Sequence, residues 1–152
     1  MEYIQQARGE AEGCLFCDVL AEGDDAAGLI LHRGDQGFVM LNAYPYNPGH
    51  LMIAPYRHVG DPVALHDDEL VDLGHLLQVS LRALTEEMHP DGFNVGMNLG
   101  RVAGAGVPDH LHWHVVPRWN GDTNFMSVTG EMRVLPESLE ATYDKLRPRF
   151  GS

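Results

Sequence analysis

Cysteine is scarce in this chain of 152 residues: there are two, Cys14 and Cys17, in the spacing C-x-x-C. That number excludes a disulfide-stapled scaffold and points to metal or redox chemistry. Basic side chains are also few. Ten Lys and Arg stand against 22 Asp and Glu, a net charge of −12. The balance argues against a general nucleic-acid binder, whose footprint is a basic face, and against electrostatic attachment to anionic lipid. It leaves a phosphorylated substrate open, because a pocket can be locally positive in an acidic protein. No apolar run approaches the roughly 20 residues that span a bilayer. The start, Met1 to Glu12, is polar and acidic, without the basic-then-apolar pattern of a secretory leader. A cytoplasmic protein without a membrane partner is expected.

What the chain does have is an ordinary apolar content of 44% and a length suited to one domain, which at this size removes about 68–70% of its unfolded surface from water. Residues 1–13 read as a lead-in segment and 14–152 as a single domain. Apolar or alternating stretches predict strands at Leu29–His32, Phe38–Leu41, Leu51–Ala54, Phe93–Met97 and His110–Val116. Leu70, Leu73, Leu77, Leu81, Leu84 and Met88 form one stripe at steps of three and four, which predicts a long helix over 67–88. Asp67, Asp68 and Glu69 suit its positive end. A short helix is predicted over Pro136–Leu146, with Pro136 in its first turn. The order gives an α+β fold with a mainly antiparallel sheet of about five strands.

Histidine is the abundant residue, nine in all. Three occupy alternate positions in Asp109-His110-Leu111-His112-Trp113-His114-Val115-Val116. On a strand, alternate side chains share a face, about 6.6–7 Å apart, so the three imidazoles line one groove while Leu111, Trp113 and Val115 face the core. The pattern admits nucleophilic catalysis by one imidazole assisted by a neighbour, or a metal site built from two or three of them. Cys14 and Cys17 are half of a tetrahedral zinc site. A thioredoxin-like redox pair and two buried structural thiols are the rivals, and residue chemistry alone leaves them open. His50 and His58 are both available as a third ligand.

His110-Leu-His112-Trp-His114-Val-Val resembles the His-φ-His-φ-His-φ-φ motif of the histidine triad (HIT) superfamily. The resemblance extends over roughly residues 14–120, through Phe38 to Asn42, Pro45 to His58 and Asn94 to Gly100. The longer string from His110 to Asp122 is similar to bacterial diadenosine tetraphosphate phosphorylases and to the fragile histidine triad branch. The resemblance implies a HIT fold and a homodimer. It implies cleavage of dinucleoside polyphosphates at the α-phosphate through a nucleotidyl-histidine. His112 is then the nucleophile, and His114 binds the phosphate oxygens. Asn42 is placed at the ribose, Asn98 near the phosphates, and the loop with Gly104, Gly106 and Val107 against the phosphate. One branch of the superfamily closes a structural zinc site, which carries over to Cys14, Cys17, His58 and His110. Hydrolases of the superfamily usually carry Gln and then Ser or Thr where this chain has Gly106 and Val107. The departure leaves room for inorganic phosphate as acceptor, with Arg118 or Arg101 as nearby cations. Phe38 and Leu41 are candidates for the wall around the base. The alternatives are a nucleotide- or zinc-binding regulatory module with negligible turnover, a hydrolase of adenosine phosphoramidate-type conjugates, and a histidine-ligated metal hydrolase.

Overall fold

A computed structural model describes residues 13–122 and 137–150. Five strands, β1 (Ile30–Arg33), β2 (Gly37–Leu41), β3 (Leu51–Pro55), β4 (Gly92–Gly96) and β5 (Trp113–Arg118), form one antiparallel sheet in the order β1-β2-β3-β5-β4. The helices are α1 (Leu15–Glu22), α2 (Asp67–Met88) and α3 (Leu139–Phe150). Every residue of β2 and β3 is buried, so their two faces serve two separate apolar layers. Val39, Leu41, Leu51, Ile53 and Val115 pack under α2 and α3, against Leu73, Leu76, Leu84, Leu146 and Phe150. The alternate residues, Phe38, Met40, Met52 and Ala54, pack with Cys14 and Phe16. Covering both faces explains why these strands read as continuous apolar runs.

The long helix occupies the predicted span. Its first turn is tied by Glu69, whose carboxylate accepts from the His66 N–H at 2.8 Å and from the Arg57 guanidinium at 2.7 and 3.1 Å. Arg57 follows β3, so this ion pair holds the turn that carries His58. Gly60 lets that turn lie directly on the segment before β5: a Cβ there would sit 2.5 Å from the Pro108 carbonyl oxygen.

Five expectations need correction. β1 starts and ends one residue later than predicted. Helix α1 is an additional element; eight residues are too short to be helical on their own strength, and burial of Phe16 supplies what propensity does not. β5 begins at Trp113, because its pairing with β3 runs only over Val115, His114 and Trp113. Ahead of it the Leu111 N–H donates to the Val59 carbonyl at 2.7 Å. β4 starts and ends one residue earlier than predicted. The C-terminal helix runs from Leu139 to Phe150, with the Ser138 hydroxyl accepting from the Ala141 N–H at 3.0 Å. Buried Leu146 and Phe150 carry it past Pro148. Pro136 and nearly all of the lead-in, residues 1–12, lie outside the described residues. No described helix is long and apolar enough to cross a membrane.

Candidate active site and metal cluster

Cys14 caps the N-terminus of α1 and Cys17 lies in its first turn. Together with His58 and His110 they bring four ligand atoms within 4.8 Å of one another. Cys14 Sγ is 3.4 Å from His110 Nδ1; Cys17 Sγ is 3.5 Å from His58 Nδ1 and 3.6 Å from His110 Nδ1. Tetrahedral zinc with bonds of about 2.3 Å to sulfur and 2.0–2.1 Å to nitrogen separates S from N by about 3.5 Å. The donor set and its spacing therefore fit zinc. The tautomer fits as well: His110 Nε2–H donates to the Pro55 carbonyl at 2.8 Å, which leaves the Nδ1 lone pair for a metal and supplies the usual outer hydrogen bond. Burial, then the Cys14 thiol and Asp18, push the Cys17 thiol up to about 11, so metal capture must displace protons. Both cysteines are free.

The other two triad histidines stand outside this cluster. His112 Nδ1 is 2.9 Å from the His110 carbonyl oxygen. A carbonyl only accepts, so Nδ1 carries the proton and Nε2 keeps its lone pair. Burial lowers the His112 pKa below the ordinary imidazole value, opposed by that hydrogen bond. A second chain of bonds fixes His114. The Tyr46 N–H donates to His50 Nδ1 at 3.2 Å, and His50 Nε2 is 2.9 Å from His114 Nδ1. With Nδ1 of His50 accepting, its Nε2–H donates to His114, so the neutral His114 ring presents Nε2–H. Burial first, then His114 and His112, hold His50 down at about 4. Gly49, at φ +84° with a virtual Cβ 2.8 Å from Met88 Sδ, sets the turn that delivers His50.

A cavity of about 460 Å³ opens over these rings. His112, His114, Asn42, Asn98, Gly104, Gly106 and Val107, residues up to 72 positions apart in the predicted site, all line it. Asn42 is also a turn residue, its Oδ1 accepting from the Tyr44 N–H at 2.8 Å. The N–H groups of Gly104 and Ala105 are taken by the Arg101 and Gly100 carbonyls.

Three expectations fail here. His110 joins the cysteine cluster and does not line the cavity with His112 and His114. Phe38 and Leu41 are fully buried in the two apolar layers. The apolar wall instead comes from Leu15, Phe16, Val19, Leu29, Met40 and Met52. Neither Arg101 nor Arg118 lines the cavity; Arg118 is bound to Asp122 at 3.0 Å and to Asn94 Oδ1 at 2.6 Å. His50 joins the His114 chain, and the sequence signal for it was its place directly after the Pro48-Gly49 turn. The α1 wall residues had no signal beyond standing inside and just after the C-x-x-C.

A family model described as HIT domain matches residues 26–121. A Mycobacterium tuberculosis protein named AP-4-A phosphorylase is 47% identical over 118 residues, covering 78% of this chain and 60% of that protein. The chain thus spans less than two thirds of that relative's length. Adenosine 5'-monophosphoramidase hnt1 of Schizosaccharomyces pombe is 25% identical over 137 residues, 90% of this chain and 98% of that one. The crystal structure of a zinc-bound histidine triad family protein from Mycobacterium smegmatis superposes with a TM-score of 0.72 and 26% identity, covering 91% of this chain and 94% of the other.

Proposed function

Because the chain belongs to the HIT domain family, we propose that it is a nucleotidyl hydrolase or transferase that cleaves dinucleoside polyphosphates through a nucleotidyl-His112 intermediate. The observation that carries the reading is the 2.9 Å bond from His112 Nδ1–H to the His110 carbonyl. It leaves a neutral Nε2 lone pair on a ring that lines the cavity. That lone pair attacks the α-phosphorus. The bond to the bridging oxygen breaks, and its electron pair leaves with the rest of the polyphosphate. His114 Nε2–H and the Gly106 and Val107 N–H groups donate to the phosphate oxygens, and glycine permits the close approach. Asn42 takes the ribose, Asn98 the phosphates, and Leu15, Phe16 and Val19 with Met40 and Met52 the base.

In the second half-reaction an oxygen of the acceptor attacks phosphorus, the P–N bond breaks, and its electrons return to Nε2. Diadenosine tetraphosphate then gives ATP and ADP when phosphate is the acceptor, or ATP and AMP when water is. Gly106 and Val107 favour phosphate, since neither side chain holds a water beside the scissile bond. The name of the Mycobacterium tuberculosis relative supports the same acceptor. Incubation with diadenosine tetraphosphate, with and without millimolar phosphate, tests the reading. The expected result is faster cleavage and ADP in place of AMP. An unchanged rate and product with phosphate make the enzyme a hydrolase, and no cleavage at all removes the reading.

Cys14, Cys17, His58 and His110 would hold a zinc ion, whose four protein ligands leave no open position, so that it supplies structure. A cytoplasmic homodimer completes the proposal. β4, at the sheet edge with exposed Val95, supports the dimer.

A further inference from the structure

We infer that the Cys14–Cys17–His58–His110 cluster controls the substrate cavity, with Phe16 as the positioning residue that links them. The inference rests on the nucleotide reading above and extends it to regulation by the metal.

Helix α1 belongs to both sites. Its N-terminal end supplies Cys14 and Cys17 to the cluster, and Leu15, Phe16 and Val19 supply one wall of the cavity. Among the described residues the helix's own packing is slight, with Cys17, Val19 and Leu20 only partly buried against the layer around Phe16. It has eight residues, its N-cap makes no side-chain hydrogen bond, and Phe16 is its one buried residue. A segment of this length is marginal without an external tether. Metal bonds from Cys14 and Cys17 to His58 and His110 would pin it to the segments after β3 and before β5.

Phe16 lies between the two halves of the C-x-x-C and is fully buried. Its ring centroid is 5.1 Å from that of His110 and 4.7 Å from that of His112, tilted by 38° and 41°. The aromatic thus meets both a cluster ligand and the ring that carries the free Nε2. Docking α1 by metal seats Phe16 against His112 and completes the wall that a nucleoside would meet. Two ligands that favour the same docked arrangement stabilise each other reciprocally. Metal should tighten nucleotide binding, and nucleotide should slow metal release.

The test uses zinc-loaded protein and AMP as probe. Zinc release to a colorimetric chelator is timed with and without AMP, at concentrations that saturate each form by calorimetry. AMP is expected to slow release at least about fivefold, the lower end of ordinary coupling between sites. Phe16→Ala, with one zinc per chain verified before chelation, should lose the difference, and Phe16→Leu should recover part of it by restoring an apolar filler. A purely structural role for Phe16 lowers the melting temperature of both variants and leaves the AMP effect whole. That outcome overturns the proposal. Equal release rates in the native protein, with AMP bound, overturn the coupling and leave the nucleotide reading standing. Failure of the zinc-loaded protein to bind AMP overturns both.

Discussion

Replacing His50 separates positioning from chemistry at the candidate nucleophile's neighbour. In the native arrangement His50 Nε2–H points at His114 Nδ1 over 2.9 Å. The opposite His114 tautomer would set two N–H groups against each other in a place where His50 is 1% exposed. Each unsatisfied buried donor costs about 1–3 kcal/mol, so the wrong tautomer lies roughly 2–6 kcal/mol higher. At 1.4 kcal/mol per factor of ten, it is populated to about 4% or less. His50→Met removes the donor and retains apolar bulk. Neither tautomer is then imposed, so about half the rings fail to present Nε2–H and the ring orientation loosens. The lower bound on the kcat loss is roughly twofold. The upper bound is the roughly 100- to 1000-fold cost of losing one transition-state donor altogether. His50→Gln places an amide N–H at similar reach and should keep native activity. The assay is steady-state cleavage of diadenosine tetraphosphate, with ring ¹⁵N shifts reporting the His114 tautomer. A loss beyond about 10⁴-fold in His50→Met would put His50 in the chemistry itself, where tautomer control cannot reach. Equal activities of the Met and Gln variants would refute the tautomer argument.

His112→Asn should retain AMP binding and lose turnover, and substantial residual cleavage, followed by chromatography, would exclude the covalent route. Gly106→Gln with Val107→Thr should raise the share of AMP over ADP at fixed phosphate; a Cβ at Gly106 meets nothing within 4 Å, so an unchanged product ratio could not be attributed to a clash. Stripping zinc should lower the melting temperature, since structural zinc sites bind with on the order of 10 kcal/mol in small peptides; an equal melting temperature with zinc verifiably removed contradicts the metal reading. Acid should act in two stages. His50 is held down at about 4 by burial, then by His114 and His112, so the unfolded chain takes up its proton first and stability falls from about pH 6.5 down toward 4. Glu69, held at about 2 by Arg57 first, and Asp122, held at about 2 by Arg118 first, contribute stability that is present above the ordinary carboxylate range and is lost as pH falls from about 4 toward 2. Chemical denaturation across pH 2–8 measures both, and a flat profile between 6.5 and 4 refutes the first stage.

The local code reached the long helix, because a stripe at steps of three and four over 22 residues admits one reading. It reached β2 and β3 as short apolar runs between turn formers, but strand period put all three histidines along one groove, where only His112 and His114 line the cavity and His110 joins the cysteines. The residues of the cavity floor came from the family resemblance, and they do line one cavity. What local pattern did not contain was which side chain each element meets. Helix α1 has no stripe long enough to be read, and its stability is tertiary, in Phe16 against His110 and His112. The exclusion of Phe38 and Leu41 follows from particular partners, since Met40 and Met52 of the same strands do line the cavity: Leu41 packs in the layer under α2 and α3, and Phe38 against Phe16 and Tyr56. The pairing of His50 with His114 joins positions 64 residues apart, and hydrogen bonds of that span have no period in a sequence. The start of β5 was set the same way: His110 and Leu111 have strand-like sequence, but their backbone groups answer to His112 and Val59, and only the folded chain decides where those partners stand.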